Sequence, residues 1–486
     1  MFFYNGFSLM DSVKKSLLFS FSQKYSEILI GFISTLILAR LLTPEEVGIY
    51  SVIATLTVIA HMVRDFGVSN YIVQERALTD EKIISAFLVT FFWSYSIGLT
   101  FFGFSTLISD FFNRPELISV VLVSSLGFAF IPFGSVSLNL LRKDMQFKKL
   151  FFINVSSVIV SSMFSISLAY AGFSYMSLAW GSLSGIVTIV ILSSFFRRKV
   201  KLETPRFSVI SEVFSFGSKS SYVAIISKLV TQLPEILIAK LHGMTNVGLY
   251  SRANGLINMF NMGVLQGVFP VLLPHLVNKL KAGGDIRKDF LTTIEVIATL
   301  AWPFFLFLSF FSTEIIGFLF GGQWVGASAI LSYLCIAAAA ASIYSFNSQV
   351  LISKGLINLD VKTQTVSQAS SAILLIAFSF YGLDYILIAL IISRFFTLFL
   401  SFFYCLRALD VKFYVFLSSL IKPALVTILC TVYLTVFEAS FDESLADFSY
   451  LIVGSTAYTL IWLLSIAMCR STLFSIIREL VRFRRS

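Results

Sequence analysis

Apolar stretches of about twenty residues follow one another along the whole chain, separated by short polar connections that carry most of its Lys, Arg and Asp. A helix rises 1.5 Å per residue, so a run of that length covers the ~30 Å of hydrocarbon in a bilayer. The pattern predicts about fourteen membrane-spanning helices, near 16–39, 44–63, 83–108, 117–140, 150–170, 174–196, 216–239, 246–273, 290–311, 324–351, 364–381, 384–406, 415–437 and 449–469. The runs are continuous rather than alternating at period two, which excludes a membrane barrel. "DSVKK" precedes the first run, but that run leads into a second span with no small-residue cleavage site. It is expected to be a retained helix rather than a signal peptide.

Charge in the connections orients these spans, because Lys and Arg accumulate in short cytoplasmic loops. With the N-terminus inside, the inner segments hold 27 Lys and Arg and the outer ones three, Arg40, Arg114 and Lys240. An even number of spans follows, with both termini cytoplasmic. The last outer loop, "FEASFDESLADFS", is acidic and agrees. Composition supports the same class: of 486 residues 57% are hydrophobic, 13% are charged and 53 are Phe, and mean hydropathy is +0.88. That leaves too little polar surface to cover a water-soluble globule. The net charge of +10 is mostly topological, and no groove-reading motif points to nucleic acid. Cys335, Cys405, Cys430 and Cys469 all fall within apolar runs, with no spacing that suggests a metal or a redox pair. No connection exceeds about 20 residues, so none can hold a soluble catalytic or nucleotide-binding domain.

One segment occurs twice. "ILARLLTPEEVGIYS", Ile37 to Ser51, aligns without a gap on "LIAKLHGMTNVGLYS", Leu237 to Ser251, and both end in Val-Gly-x-Tyr-Ser. Each covers the end of one span, an outer loop and the start of the next. A second echo pairs "AGFSYMSLA" with "YGLDYILIA", matching Gly172, Tyr175 and Ala179 with Gly382, Tyr385 and Ala389. Six spans return the chain to its starting side, so the two copies point the same way, related by an axis along the membrane normal. The expected fold is an all-α integral membrane protein with two parallel-repeat six-helix lobes, 1–206 and 207–408, around a central cavity. Residues 409–486 add two C-terminal helices and a basic cytoplasmic tail.

Ionisable residues inside spans are the candidates for function, since a Lys, Arg or Asp at a helix centre costs about 2.5 to 3.5 kcal/mol to insert. Lys24 and Glu27 share a face of the first span, with Gln23 one turn before Glu27. In the seventh span Lys228, Gln232 and Glu235 again share a face, and Pro234 is expected to kink the helix beside them. These stripes either line a water-filled cavity or form ion pairs that hold helices together. Arg252 lies one turn into the eighth span, with Asn254, Asn258 and Asn261 on another face, and Arg394 sits near the middle of the twelfth. Lys219 is close enough to the inner surface to snorkel. His61, Arg64 and Asp65 close the second span at the cytoplasmic edge, as an interfacial charge cluster or as a gate.

The segments "LARLLTPEEVGIYSVIA", "DFGVSNYIVQE", "FFNRPEL", "LRKDMQFKKL" and "GGQWVGASAIL" resemble, in this order, those of the bacterial polysaccharide transporters, the Wzx-type flippases. That family belongs to the multidrug/oligosaccharidyl-lipid/polysaccharide superfamily. The resemblance implies a secondary transporter, not an enzyme, that moves an undecaprenyl-diphosphate-linked oligosaccharide (an O-antigen, capsule or exopolysaccharide unit) to the outer leaflet of the bacterial inner membrane. It also implies a V-shaped fold with a cavity lined by spans one, two, seven and eight. On this reading Lys24, Lys228, Gln232, Arg252, Asn254, Asn258 and Arg394 bind substrate, and Glu27 and Glu235 carry a coupling ion, H+ or Na+. His61, Arg64 and Asp65 then form a gate. No cofactor or metal is expected. The expected partners are the lipid-linked glycan, membrane lipid, a polysaccharide polymerase and a chain-length regulator, and the expected state is a monomer. A multidrug or cation antiporter of the same superfamily is the alternative; such antiporters usually have twelve spans. A membrane polymerase or ligase fits less well, because the longest outer loop, near Phe437 to Ser449, has only about 13 residues.

The charge asymmetry predicts that, in a background without the four cysteines, a cysteine at Ser440 reacts with an impermeant thiol reagent added to spheroplasts. One at Ser208 does not. Reaction at both, or at Ser208 alone, would contradict fourteen spans with cytoplasmic termini.

Overall fold

The computed structural model describes residues 2–65, 67–196, 206–440, 447–475 and 478. The connection 197–205, the tip of the acidic loop before α20 and most of the basic tail lie outside the described residues, as do the side chains of Lys14, Lys15, Ser208 and Lys219. The described residues form twenty α-helices and no strand. In the first half of the chain they are α1 (Phe2–Leu41), α2 (Pro44–Asp65), α3 (Val68–Gln74), α4 (Asp80–Gly103), α5 (Ser105–Phe112), α6 (Glu116–Phe130), α7 (Pro132–Lys143), α8 (Phe147–Tyr170), α9 (Met176–Phe195) and α10 (Phe207–His242). There follow α11 (Met244–Phe260), a π-helical turn (Asn261–Leu265), α12 (Gln266–Lys281), α13 (Arg287–Phe310), α14 (Ser312–Phe320), a 3-10 turn (Gly322–Trp324), α15 (Ala327–Tyr344) and α16 (Asn347–Ser353). The series ends with α17 (Ile357–Ser379), α18 (Leu383–Leu409), α19 (Phe413–Ser440) and α20 (Asp447–Met468).

Every expected run falls on helix. Among the described residues nine stretches are long and apolar enough to cross a membrane, and a tenth is added if α6 and α7, bent by 52°, count as one broken span. The runs on α1, α10, α11 with α12, and α17 fall below that measure. The π-helical turn divides one run into helices of 17 and 16 residues, and polar residues lower the hydropathy of the others: Lys24 and Glu27 on α1, Lys228 and Glu235 on α10, Gln364 and Gln368 on α17. Hydropathy therefore dips in α1 and α10, which hold candidate residues.

The chain divides into two compact units, Met1–Gly248 and Leu249–Ser486, with the division inside α11. In the first unit α1 packs on α8, α8 on α9, and α10 against α2, α3, α4 and α5. In the second, α13 packs on α15 and α19, α17 on α18, and α19 on α20. The same series of breaks recurs in both. Helix α4 stops at Phe104 and α5 ends on Asn113 (φ 55°), while α13 stops at Phe311 and α14 ends on Gly321 (φ 100°). Beyond α7 the chain turns through Met145 (φ 54°), and beyond α16 through Gly355 (φ 76°). Gly172 (φ 85°) and Gly382 (φ 145°) then precede α9 and α18. The second sequence echo is thus a repeated left-handed turn.

Side-chain bonds tie α19 and α20 to α13, one of them to a carbonyl that a proline leaves open. Pro303, inside α13, has no N–H to give to the carbonyl of Thr299, four residues back. The indole Nε1 of Trp462 on α20 donates to that oxygen at 3.2 Å, and the Tyr458 hydroxyl donates to the Pro303 carbonyl at 2.7 Å. Glu295 accepts from the Thr472 backbone N–H at 2.9 Å and pairs with Lys422 at 3.5 Å. In hydrocarbon each such group has to find a protein partner.

The first repeat also has a local structural cause. Thr43 accepts from the N–H of Glu46 at 3.3 Å, while the Glu46 carboxylate takes the Thr43 N–H at 2.7 Å, a capping box with Pro44 at the first helical position. The Ser174 hydroxyl donates to the same carboxylate. In the second copy Gly243 (φ 88°) makes the turn, and Asn246 donates to the His242 carbonyl at 2.8 Å. The two caps differ, but both lead to a glycine one turn into the helix, Gly48 and Gly248. A Cβ on Gly48 would lie 1.8 Å from the Met244 carbonyl oxygen, and one on Gly248 would lie 1.9 Å from that of Pro44. The first turns of α2 and α11 are therefore in backbone contact, with each glycine against the first carbonyl of the other helix. The segment is repeated because each copy has to offer bare backbone to the other.

Replacing Gly48 or Gly248 by Ala is expected to destabilise this arrangement by about 1 to 3 kcal/mol, the usual cost of overpacking. Gly31, also helical, has open space around it, so Gly31→Ala should be neutral or stabilising by up to ~1 kcal/mol. Thermal unfolding of the purified variants tests this. Equal midpoints for Gly31→Ala and Gly248→Ala would show that the contact is dispensable.

Candidate functional site

In the first unit the candidate residues of α10 meet α2. Glu235 and Gln232 are half-buried on one face of α10, beside the buried Pro234. Opposite them is Thr55 of α2, only 2% exposed, whose hydroxyl donates to the Glu235 carboxylate. The Gln232 side-chain amide donates to the same hydroxyl at 3.5 Å, at the long end of hydrogen bonding. Sequence reasoning gives no reason to single out Thr55, since a threonine in an apolar helix ordinarily bonds its own backbone.

On α1 the Gln23 amide, rather than Lys24, holds the Glu27 carboxylate, at 2.9 Å. Neither Lys24 nor Lys228 takes part in an ion pair within 4.0 Å among the described residues. Both ammonium groups are half-buried cations without a bound acid. The i, i+3 spacing of Lys24 and Glu27 puts them on one face without pairing them.

In the second unit Arg252 of α11 rests on aromatic rings. Its guanidinium lies 4.9 Å from the Trp324 ring centroid and 5.8 Å from that of Phe320. Both rings are buried, brought there by the turn through Gly321. Among the described residues Arg252 makes no ion pair within 4.0 Å, and its buried Nε has no hydrogen-bond partner. Aromatic faces attract a cation through their quadrupole and fix its position while leaving its charge unneutralised. Trp324 lies in the "GGQWVGASAIL" segment, which marked it as part of a signature but not as a platform for Arg252. Asn254 is half-buried, Asn258 is exposed, and Asn261 opens the π-helical turn. Arg394 of α18 is half-buried, faced by the phenols of Tyr344 and Tyr250. Tyr250 belongs to the second Gly-x-Tyr-Ser; its counterpart, Tyr50, meets Ser182 on α9. Each repeat tyrosine thus reaches the last long helix of its six-run set.

Past Arg252, α11 and the π-helical turn after it present apolar residues. Leu256, Phe260 and Val264 line a cavity of about 610 Å³ with Pro303 and Phe304 of α13 and Trp462 of α20. The polar atoms of Tyr458 and Trp462, also on its wall, are engaged by the backbone of α13, so the cavity offers hydrocarbon.

The third group lies at the end of α2. Arg64 donates to its chain neighbour Asp65, yet the Arg64 side chain is 9% exposed and that of Asp65 48%. The His61 ring packs on Phe128 at 4.8 Å between centroids. Among the described residues nothing hydrogen-bonds the buried Nε and Nη1 of Arg64 or the buried Nδ1 of His61. Among the described residues no group of three His, Cys, Asp or Glu could hold a metal ion.

The model of a family described as polysaccharide biosynthesis protein matches residues 37–329, more than half of the sequence, and the chain belongs to that family. It is similar to the lipopolysaccharide biosynthesis protein WzxC of Escherichia coli (strain K12), 23% identical over 335 residues, 68% of this chain and 68% of that protein. It is also similar to the succinoglycan biosynthesis transport protein ExoT of Rhizobium meliloti (strain 1021), 26% identical over 312 residues, 63% of this chain and 62% of that one. Among solved structures it resembles the lipid II flippase MurJ in an inward closed conformation, with a TM-score of 0.73 and 16% identity, over 96% of this chain and 100% of that one. An inward-facing multidrug resistance MATE transporter of the MOP superfamily has a TM-score of 0.65 and 15% identity, over 79% of this chain and 94% of its own. At these identities the two structures establish the fold and nothing more specific.

Among the described residues neither lysine makes an ion pair within 4.0 Å, so removing one breaks no direct salt bridge. Lys24→Ala and Lys228→Ala are expected to change stability by no more than ~0.5 kcal/mol, as for surface sites, while abolishing surface-polysaccharide export. Arg should restore export better than Gln if the positive charge is what acts. Membrane abundance and surface polysaccharide, measured together in a strain lacking the native copy, test this. A parallel fall in both would assign the lysines to structure.

Proposed function

We propose that the protein is a flippase that moves an undecaprenyl-diphosphate-linked oligosaccharide from the inner to the outer leaflet of the bacterial cytoplasmic membrane. It is a transporter, not an enzyme, as the family and the named relatives support. The observation that carries the reading is the sequence of environments along α11. A fixed, unneutralised cation at Arg252 is followed one to three turns later by an apolar cavity at Leu256, Phe260 and Val264. Diphosphate is an anion, and its attraction to a cation is worth most where the dielectric is low. The polyprenyl chain needs an apolar surface that makes no polar demand. One stretch of helix therefore suits both ends of the ligand, in the order in which they are joined.

In this reading fourteen spans cross the membrane with both termini cytoplasmic, supported by the loop charges and by helices at every expected run. Two parallel six-helix lobes rock about a central site, supported by the recurring breaks and turns. Lys24, Lys228, Gln232, Arg394 and the asparagines of α11 complete the substrate contacts. His61, Arg64 and Asp65 gate the cytoplasmic side. A polymerase and a chain-length regulator take over the product, and the transporter works as a monomer. The antiporter reading draws on likeness of fold alone, whereas the flippase reading also draws on the family and on relatives named for polysaccharide biosynthesis. With no nucleotide domain, energy comes from an ion gradient, H+ or Na+, with Glu235 as the principal coupling carboxylate and Glu27 as its counterpart on the first span. Pro234 lets α10 bend beside Glu235 and so move it between wetter and drier surroundings, which changes its affinity for a proton.

In proteoliposomes containing a fluorescent undecaprenyl-diphosphate-linked oligosaccharide, the protein should transfer the lipid between leaflets. An imposed pH gradient should accelerate transfer by the parent but not by Glu235→Gln. Equal acceleration in both would remove Glu235 from coupling, and absence of transfer would refute the flippase reading.

A further inference from the structure

Many threonine hydroxyls inside these helices bond their own backbone. Thr90, Thr188, Thr299 and Thr427 each donate to the carbonyl four residues back, at 2.7 to 2.8 Å for Thr299 and for the others respectively. That bond satisfies the hydroxyl locally and leaves it nothing to offer a neighbour. Thr55 departs from this pattern. Its hydroxyl is directed across to α10, where it donates to the Glu235 carboxylate and accepts from Gln232. Thr55 is only 2% exposed, so its hydroxyl is shielded from solvent.

The surroundings single out this contact further. The helices packed on α10 are α2, α3, α4 and α5. Helix α3 carries no charge, and those of α2 lie at its ends, Glu45 and Glu46 at one and His61, Arg64 and Asp65 at the other. Helix α4 has Asp80, Glu81 and Lys82 in its first turn and Tyr95 within it, and α5 has Asp110. The charge that bears on Glu235 comes from Lys228 on its own helix, and Thr55 is its partner from the facing one.

We infer that Thr55 is a positioning residue for transport: in this state its hydroxyl holds the Glu235 carboxylate and so fastens α10 to α2, and the bond is released when Glu235 changes protonation during the cycle. The inference rests on the assignment of Glu235 to coupling. An ionised carboxylate accepts strongly from a hydroxyl, whereas a carboxyl that has taken up a proton accepts more weakly. Arrival of a proton would then loosen two helices, which turns a local chemical event into a movement. Gln232, donating to the Thr55 oxygen, keeps the hydroxyl proton aimed at Glu235.

The test uses the full-length protein in proteoliposomes with the same fluorescent lipid, with and without a pH gradient. Thr55→Val preserves shape and removes the hydroxyl; Thr55→Ser keeps the hydroxyl. Thr55→Val is expected to lose about tenfold in gradient-driven transfer, the scale of one hydrogen bond to a charged group, with gradient-free transfer within about twofold of the parent. Thr55→Ser should transfer as the parent does. Adding Thr55→Val to Glu235→Gln should cost nothing further, because residues acting through one bond are not additive. The inference is overturned if Val and Ser both match the parent, if Ser fails as Val does, or if the double variant loses the tenfold again. A parent that transfers without responding to the gradient would overturn the coupling assignment and this inference together. A parent that responds while Thr55→Val responds equally would overturn this inference alone. Thermal midpoints of the purified variants identify a folding defect; a lower midpoint in Thr55→Val with loss in both gradient conditions would make Thr55 a packing residue and overturn the inference.

Discussion

Backbone contact between two helix starts is the constraint from which much else in this protein follows. Gly48 and Gly248 each lie against a carbonyl oxygen of the opposite helix, nearer than any side chain allows. Such proximity requires glycine at both places and a helix entry of defined geometry before each one. The chain meets the second requirement in two ways, with the Thr43–Glu46 capping box in one copy and the left-handed turn at Gly243 in the other. Common need and different means explain why Val-Gly-x-Tyr-Ser is shared while the residues just before it are not.

The cations are held in place without being neutralised. Arg252 rests on Trp324 and Phe320, Arg394 is faced by two phenols, and among the described residues Lys24 and Lys228 make no ion pair within 4.0 Å. Most ion pairs elsewhere, such as Lys279 with Asp289 at 2.8 Å and Arg114 with Glu45 at 2.8 Å, lie in connections or at helix ends, while Lys422 with Glu295 joins α19 to α13 farther in. This division suits a protein whose ligand supplies the counter-charge. An acid beside Arg252 would compete with any anion that came there, whereas an aromatic face does not. The carboxylates are treated likewise: Glu27 is held by an amide and Glu235 by a hydroxyl, partners that orient a charge and leave it intact.

Much of the fold was legible in the sequence because it depends on local patterns. Apolar length marked the helices, and the offset between the two Gly-x-Tyr-Ser segments marked the repeat. The broken spans were harder to see: nothing at Phe104 or Phe311 announces a break, and the bend at Ile131 is signalled only by Pro132. The candidate cations and acids could be listed because an ionisable residue in an apolar run is conspicuous. Their partners could not. Thr55 is an ordinary intramembrane threonine until α10 is laid beside it, and Trp324 is one more aromatic in a chain with 53 Phe. Helical spacing suggested Lys24 as the companion of Glu27, yet Gln23, four residues before it, makes the bond. Periodicity determines which residues share a face, while side-chain length and the neighbouring helix decide which of them meet.

The central claim, that one stretch of helix accepts an anionic head and a polyprenyl tail, is tested most directly by what the protein retains when it leaves the membrane. Native mass spectrometry of the transporter, gently extracted from a strain making its own surface polysaccharide, should show a bound polyprenyl-diphosphate glycan. That adduct should be absent from a strain unable to begin glycan assembly and strongly reduced in Arg252→Ala. If the parent retains only phospholipid, or if Arg252→Ala holds the glycan lipid as well as the parent does, the account of the site is wrong.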